Sequence, residues 1–151
     1  MAEDRDLLYD PEAAPDTRER YTRYYSTARL RHLAAGHRGT KHLDLYRGLR
    51  IVMEKLGSDE GCPPLALPAL GSFLWSETAM PDLAHCDISN RDFLDAVSAL
   101  AFTLDNKVPR SVDYKNLGSE ELGSIYESLL ELHPEFNIDA ATFNLTTAGG
   151  H

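Results

Sequence analysis

The strongest hydrophobic pattern in the chain lies between residues 117 and 132. Its apolar side chains recur every three or four positions, the spacing that lines one face of an α-helix. They are Leu122, Ile125, Tyr126, Leu129 and Leu130. Gly118-Ser119 supplies a capping hydroxyl and His133-Pro134 stops the run, so the sequence predicts an amphipathic helix over 119–132. We expect its apolar side to be a buried docking face.

The same spacing recurs in three segments upstream. Helices are predicted over 17–35, ending at Gly36, over 41–56, with Gly57 as C-cap, and over 91–104, capped by Ser89 or Asn90. The positions expected to face inward are Tyr21, Tyr24, Tyr25, Ala28, Leu30 and Leu33 in the first, Leu45, Leu49, Val52, Met53 and Leu56 in the second, and Phe93, Leu94, Val97, Leu100, Ala101 and Leu104 in the third. A shorter helix is predicted over 69–76, anchored by Phe73 and Trp75.

Two further segments alternate polar and apolar residues, which is typical of strands. They span 107–115 and 142–147, and we expect them to pair as an antiparallel ribbon. Residues 1–16 hold six acidic side chains and two prolines, a composition that predicts a mobile or loosely docked acidic arm. The expected fold is therefore mainly α: a small helical domain of four to five helices over 17–151, with a short two-stranded β ribbon near the C-terminus.

Charge is spread unevenly along the 151 residues. The net charge is −9, yet the stretch from Arg18 to Arg50 holds nine Lys or Arg against Glu19 and Asp44 and so carries +7, which leaves −16 for the rest. This basic stretch is either a solvated helical surface or a face that contacts phosphate, for which the planar guanidinium of arginine is suited.

The compartment is predicted from what the chain lacks. No run approaches the ~18 consecutive apolar residues of a membrane helix. The charged N-terminus has no apolar core of a secretory signal, so a cytoplasmic protein without a membrane partner is expected. Cys62 and Cys86 are then expected to be reduced thiols.

The sequence contains none of the common motifs of a self-contained active site: no glycine-rich nucleotide loop, no Gly-x-Ser-x-Gly and no His-Glu-x-x-His. His32, His37 and His42 recur every five residues, so on a helix they would point in different directions rather than converge on a metal. We predict no catalytic, metal-binding or cofactor-binding residue in this chain.

Several short sequence segments, in the order in which they occur, resemble those of a known family. The run Leu117-Gly-Ser-Glu-Glu-Leu-Gly-Ser-Ile-Tyr-Glu-Ser-Leu-Leu-Glu is similar to the helix just upstream of the methyltransferase core in large restriction-modification adenine methylases, including the type IIG and phage-defence kinds. Other phrases that look similar to the helical region of these proteins are Gly39-Thr-Lys-His-Leu-Asp-Leu-Tyr-Arg-Gly-Leu-Arg, Leu67-Pro-Ala-Leu-Gly and Ser89-Asn-Arg-Asp-Phe-Leu-Asp-Ala-Val. The resemblance spans about Arg18 to His151.

The resemblance implies a role that does not include catalysis. In such methylases a Tyr-Tyr-Thr-Pro segment follows and opens the S-adenosylmethionine site, and an Asn-Pro-Pro motif carries catalysis; neither occurs in these 151 residues. The chain is thus expected to be a non-catalytic helical domain of a DNA adenine-N6 methyltransferase or restriction-modification enzyme, a piece that braces a methylase core lying outside it. The phosphate contacts implied for DNA are Arg29, Arg31, Arg38, Lys41, Arg47 and Arg50. The alternative is a free-standing protein–protein interaction module.

Overall fold

A computed structural model describes residues 1–71, 73, 78, 79, 81 and 85–147. Within this part of the chain lie five α-helices and two antiparallel hairpins, which agrees with the predicted small helical domain in its coarse outline. The elements are α1 (Pro15–Tyr24), α2 (Thr27–Ala35), α3 (Asp44–Gly57), α4 (Asn90–Ala101), β1 (Phe102–Asp105), β2 (Val108–Ser111), α5 (Ser119–Leu130), β3 (Leu132–Asn137) and β4 (Thr142–Thr147). They form two compact units, a first unit from Met1 to Val112 and a second unit from Asp113 onward.

The single helix predicted over 17–35 is two helices, because Ser26 caps the second one. The buried Ser26 hydroxyl accepts a hydrogen bond from the Arg29 N–H at 3.1 Å and donates one to the Thr22 carbonyl at 2.7 Å. A serine side chain that bonds nearby backbone groups competes with the helical ladder. The break places Tyr24 and Ala28 in solvent, whereas both were predicted to face inward.

Two hydrophobic clusters form the core of the first unit. One contains Tyr21, Val52, Leu56, Leu65 and Leu67, and the other contains Leu30, Ala34, Leu45, Phe93 and Leu94. Helix α3 contributes buried side chains to both clusters, which confirms the apolar stripe predicted for it. The two clusters therefore fix α1, α2 and α4 around α3, the arrangement on which the candidate site depends.

Helix α4 ends earlier than predicted, since the chain turns into a hairpin at Phe102. Asn106 and Lys107 both have positive φ, 50° and 66°, and form the two-residue turn that joins β1 to β2. Leu100 and Leu104, predicted to face inward on a longer helix, are 67% and 73% exposed. The predicted pairing of 107–115 with 142–147 is wrong, because each segment pairs with its neighbour in sequence instead: β1 with β2 and β3 with β4.

The acidic N-terminal stretch, predicted to be a mobile or loosely docked arm, makes hydrogen bonds with α1 and α2 within the first unit. The Glu3 carboxylate accepts hydrogen bonds from the Thr27 and Ala28 N–H groups, both at 2.9 Å, and from the Tyr21 hydroxyl at 3.1 Å. Asp4 forms an ion pair with Arg31. The carboxylates thus satisfy the open amides of α2 and one buried hydroxyl, a role that acidic composition alone does not reveal.

Of the predicted short helix over 69–76, residues 69–71 are not helical, whereas 72 and 74–76, with the anchor Trp75, lie outside the described residues. Phe73, the other predicted anchor, is 74% exposed. None of the helices described for this chain is long and apolar enough to cross a membrane.

Helix α5 begins and ends close to the predicted positions, but its cap and its burial differ. The Glu121 carboxylate accepts the Gly118 N–H at 3.0 Å, where the Ser119 hydroxyl was expected to serve as the cap. The apolar stripe, predicted to be buried, has no buried residue. The hydrophobic period therefore predicted the helix correctly, and the face expected to dock on a core outside this chain is exposed here.

Candidate nucleic-acid interface

An open groove of about 970 Å³ lies between α1, α2 and the N-terminal half of α3. Among the described residues, four basic side chains line it, against one carboxylate, that of Asp44. The basic residues are Arg20, Arg29, Lys41 and Arg47. Tyr24, 54% exposed, and Tyr25 add aromatic rings to the wall. The surface is therefore cationic and partly aromatic, the combination that suits a polyanion with planar bases.

One wall of the groove is a loop that Asn90 holds in place. The Asn90 side chain is 6% exposed; its Nδ2 donates to the Thr40 hydroxyl at 3.1 Å and to the Asp44 carboxylate at 2.9 Å. Its backbone N–H donates to the His42 carbonyl at 2.6 Å. Lys41 and His42 thus take their place in the groove because a buried amide fixes the loop that carries them.

Gly39 lets this loop lie against the start of α4. A Cβ atom at Gly39 would come within 2.7 Å of the Arg91 Cα, closer than van der Waals contact permits. The Arg91 N–H donates to the Thr40 carbonyl at 3.0 Å across the same approach. The loop that lines the groove can therefore approach α4 this closely only because residue 39 has no side chain.

The surroundings of Asp44 favour its ionised form. The hydrogen bond from Asn90 is the main cause that lowers the pKa of the Asp44 carboxyl below its usual value, with smaller contributions from nearby His42 and Arg29. Asp44 is also the first residue of α3, where the helix dipole favours a negative charge. The carboxylate is thus engaged in folding and offsets only part of the groove's positive charge.

Three of the six predicted phosphate contacts line this groove, namely Arg29, Lys41 and Arg47. The Lys41 ammonium has no hydrogen-bond or ion-pair partner among the described residues. Arg29 donates one bond, to the Tyr24 carbonyl at 3.2 Å, and keeps its other guanidinium N–H groups available. Arg47 instead makes a two-point contact with Asp87, at 2.9 Å and 2.6 Å.

The other three predicted contacts lie outside the groove lining. Arg31 pairs with Asp4, and the Arg50 guanidinium donates to the Cys86 carbonyl at 3.3 Å while lying 6.0 Å from the centre of the Tyr46 ring. Arg38 is exposed beyond the end of α2. Arg31 and Arg50 therefore bond within the fold, and Arg38 is exposed outside the groove lining.

Sequence reasoning missed two groove residues, Arg20 and Tyr24. They lie four positions apart on α1 and so share one helix face. Arg20 donates to the Pro64 carbonyl at 2.8 Å and lies 3.8 Å from Asp16. The four-residue spacing could have indicated that Arg20 and Tyr24 share a helix face, but Tyr24 was predicted to face inward.

No group of three or more His, Cys, Asp or Glu side chains is arranged to hold a metal ion within the part of the chain that the structure describes. Cys62 is half-buried and Cys86 is exposed, and both are free thiols. The groove therefore offers cations, hydroxyls and aromatic rings rather than a nucleophile or a metal-binding set.

Comparisons of this chain with known proteins gave no similar protein. A scan against models of protein families found no match, and searches of curated proteins and of solved structures found none either.

The predicted docking face of α5 is exposed along its whole length. Its five side chains are between 41% and 62% exposed, with Leu122 the least and Tyr126 and Leu130 the most. A helix face this apolar calls for a partner surface.

Proposed function

We propose that the first unit binds the phosphate backbone of DNA in the groove between α1, α2 and α3. The observation that carries the proposal is the convergence of four basic side chains, from three helices and one loop, on one open groove whose described lining holds one carboxylate. Lys41 and Arg29 supply the most available donors, since neither forms an ion pair with a carboxylate among the described residues. Contacts of this kind position a protein on nucleic acid without reading its sequence.

The protein in which this domain acts is proposed to be a DNA adenine methyltransferase of the restriction-modification kind. The support for this step is the resemblance of residues 117–131 and of the shorter phrases upstream of them. Under this proposal the domain braces a methylase core and binds the flanking DNA, while S-adenosylmethionine is held elsewhere. No residue of this chain is assigned to catalysis or to the cofactor.

DNA binding is tested by fluorescence anisotropy of a labelled duplex of about 20 base pairs, between about 50 mM and 200 mM salt, where phosphate contacts weaken steeply. We expect binding at low salt and a linear fall of log K with log salt. Replacing Lys41 by Gln is expected to reduce the slope by about one, the contribution of one phosphate contact, and Lys41→Gln with Arg29→Gln by about two.

The matched control is Lys107→Gln. Lys107 is an exposed lysine in the β1–β2 turn of the same unit, and the substitution removes the same charge away from the groove. An equal loss of binding in Lys107→Gln and Lys41→Gln would show that the charge of the unit, rather than the groove, attracts DNA. Absence of any binding at low salt would remove the phosphate-contact assignment altogether.

The methylase assignment is tested separately, by the coding sequence around this segment. We expect the reading frame to continue into a Tyr-Tyr-Thr-Pro segment and then an Asn-Pro-Pro motif. A reading frame without them would overturn the family proposal and leave the DNA test untouched. Calorimetry with S-adenosylmethionine is expected to give no saturable heat, and a saturable signal would contradict our placement of the cofactor outside this chain.

A protein–protein interaction role is the second candidate, and one observation favours it. The α5 stripe is apolar and exposed, as an interaction surface would be. This role is compatible with DNA binding, since α5 belongs to the second unit and the groove to the first.

A further inference from the structure

The groove of the first unit has an apolar floor beneath its cationic rim. Six of the described residues that line it are leucine or isoleucine: Leu30, Leu43, Leu45, Leu49, Ile51 and Leu65. The leucines at positions 30, 45 and 65 are each 7% exposed, whereas Arg20, Lys41 and Arg47 on the rim are exposed. Phosphate groups gain nothing from apolar contacts, so this floor indicates that an apolar or aromatic part of the ligand enters the groove.

An exposed tyrosine lies among the cations of the rim. Tyr24 lines the groove and is 54% exposed. The Arg23 guanidinium carbon is 5.5 Å from the centre of its ring, and Arg29 donates to its backbone carbonyl at 3.2 Å. Arg20 lies about one helical turn earlier on α1. An exposed ring surrounded by cations suits a nucleotide, whose base stacks on the ring while its phosphate meets a guanidinium.

Tyr25 and Gly48 extend the aromatic surface toward α3. The Tyr25 ring packs partly against the core cluster that contains Tyr21, and it also lines the groove. A Cβ atom at Gly48 would lie 3.9 Å from that ring, so α3 presents only backbone there. The groove volume of about 970 Å³ is at the upper end of the ~300–1,000 Å³ that small-molecule sites occupy. The groove therefore has room for a base together with its sugar.

We propose that the groove binds single-stranded DNA, with one base stacked on Tyr24 and the adjoining phosphates on Arg29 and Lys41. The inference rests on the proposed function, because it specifies which form of DNA the same groove takes. In a duplex the faces of the bases are covered by their neighbours, so only the rim would make contact. A single strand presents its base faces, and since every base has one, such binding does not depend on sequence.

Electrostatics alone would favour the opposite order of affinities. A duplex carries two strands of phosphates, and each phosphate contact contributes about 0.9 to its salt slope, against about 0.7 for a single strand. A groove that bound only phosphates would therefore hold the duplex more tightly. Tighter binding of the single strand requires contacts with the bases, which Tyr24 and the apolar floor supply.

Fluorescence anisotropy with the full chain compares three labelled ligands at about 100 mM salt, where phosphate contacts are still strong. The ligands are an oligothymidylate of about 20 nucleotides, a strand of the same length without bases, and a duplex of the same length. We expect the oligothymidylate to bind most tightly. The strand without bases is expected to bind about 5- to 150-fold more weakly, which corresponds to ~1–3 kcal/mol for one stacked base.

The three ligands separate failure of this inference from failure of the proposed function. A duplex or a strand without bases that bound as tightly as the oligothymidylate would overturn the inference and leave the phosphate contacts standing. Absence of binding to all three ligands would overturn both. Displacement of the oligothymidylate by polyglutamate, as effective as displacement by the unlabelled oligonucleotide, would assign the groove to acidic peptides and would also overturn both.

Substitutions of Tyr24 locate the stacked base. Tyr24→Ala is expected to weaken binding of the oligothymidylate by about 5- to 150-fold and to leave duplex binding within about twofold, whereas Tyr24→Phe keeps the ring and is expected to bind normally. The matched control is Tyr126→Ala, which removes a tyrosine that is 62% exposed in the second unit. An equal loss in Tyr126→Ala, or no loss in Tyr24→Ala, would contradict stacking on Tyr24.

Photocrosslinking of the unsubstituted chain keeps the test informative if Tyr24→Ala disturbs α1. An oligothymidylate that carries 5-iodouracil forms crosslinks with aromatic side chains on which the base stacks. Trypsin cleaves after Arg23 and Arg29, so Tyr24 and Tyr25 are the aromatic residues of the released peptide 24–29. We expect the main crosslink in this peptide, at Tyr24. Crosslinks confined to other peptides would overturn the proposed position of the base.

Discussion

The Asn90 Oδ1 accepts a hydrogen bond from the backbone N–H of Leu45 at 3.1 Å. This bond satisfies one of the open amides in the first turn of α3, and it comes from a residue at the start of α4. The same amide group donates to Thr40 and Asp44. One buried side chain therefore joins two helices and the loop that carries Lys41 into the groove.

Replacing Asn90 by Ala is expected to lower the free energy of unfolding by about 1–3 kcal/mol, since the N–H of the buried Leu45 loses its bond, together with the exposed Thr40 and Asp44. Asn90→Asp is expected to be similarly harmful, because its carboxylate cannot donate to Asp44 and repels it. Urea unfolding followed by circular dichroism measures both. A loss below ~0.5 kcal/mol for Asn90→Ala would mean that the network does not hold the loop.

Asp4 and Arg31 give the first unit a pH-dependent stability. The hydrogen bond from Arg31, its charge and the nearby N-terminus lower the pKa of Asp4 to about 2, from an ordinary 3.8, against the opposing effect of burial. A folded pKa below the unfolded one stabilises the protein above the unfolded value, and the contribution is lost as the pH falls from 3.8 toward 2. We expect Asp4→Asn to cost at most about 2 kcal/mol near neutral pH.

The measurement is the difference in unfolding free energy between the unsubstituted chain and Asp4→Asn, at pH 6 and at successively lower pH. We expect the difference to shrink as the pH falls from 3.8 toward 2 and to approach zero only below pH 2, where both chains carry an uncharged side chain at this position. A difference that does not change with pH would assign the effect to packing rather than to ionisation.

Only part of this arrangement could be predicted from the sequence. The 3.6-residue period correctly predicted α3 and the stripe of α5, because apolar spacing is a local property. The sequence could not show that Asp4 satisfies Arg31, 27 positions away, or that Asn90 reaches Leu45, because such contacts depend on how the helices pack. Composition instead suggested a mobile or loosely docked arm, and a basic stretch that was either a solvated surface or a face that contacts phosphate.

The strands illustrate the same limit. Alternation indicated β structure around Val108 and Phe143, but it carried no information on which strands pair. Asn106 and Lys107, with positive φ, form a two-residue turn that lets β2 pair with β1. Closing this turn costs less loop entropy than pairing β2 with β4 across the connection that contains α5. Of the groove, the sequence indicated Arg29, Lys41 and Arg47 but not the residues of α1 that face them.

The ion pair between Arg47 and Asp87 is expected to limit DNA binding. The Arg47 guanidinium holds the pKa of the Asp87 carboxyl below its usual range, and the carboxylate in turn occupies the donors that would meet phosphate. Under the proposed function, Asp87→Asn frees these donors and removes a negative charge. We expect tighter duplex binding and a salt slope steeper by up to about one.

The control for this prediction is Asp105→Asn. Asp105 pairs with Arg110 in the β1–β2 hairpin, so the change removes the same charge and releases an arginine away from the groove. Anisotropy titrations at several salt concentrations compare the two variants. Equal gains in both would indicate that net charge, and not the release of Arg47, controls the affinity.

Gly39 provides a stability test of the contact between the loop and α4. A methyl group there would lie 2.7 Å from the Arg91 Cα and 3.1 Å from its Cβ, so Gly39→Ala must displace backbone. We expect it to destabilise the first unit by about 1–3 kcal/mol, the usual effect of overpacking, and to weaken DNA binding by moving Lys41.

Gly48→Ala is the matched control, since its Cβ would meet only the Tyr25 ring at 3.9 Å, an ordinary contact. Because Gly48 lies within α3, alanine is expected to stabilise the helix by about 0.5–1 kcal/mol. If Gly39→Ala unfolded at the same urea concentration as the unsubstituted chain, the loop would not lie against α4 as described.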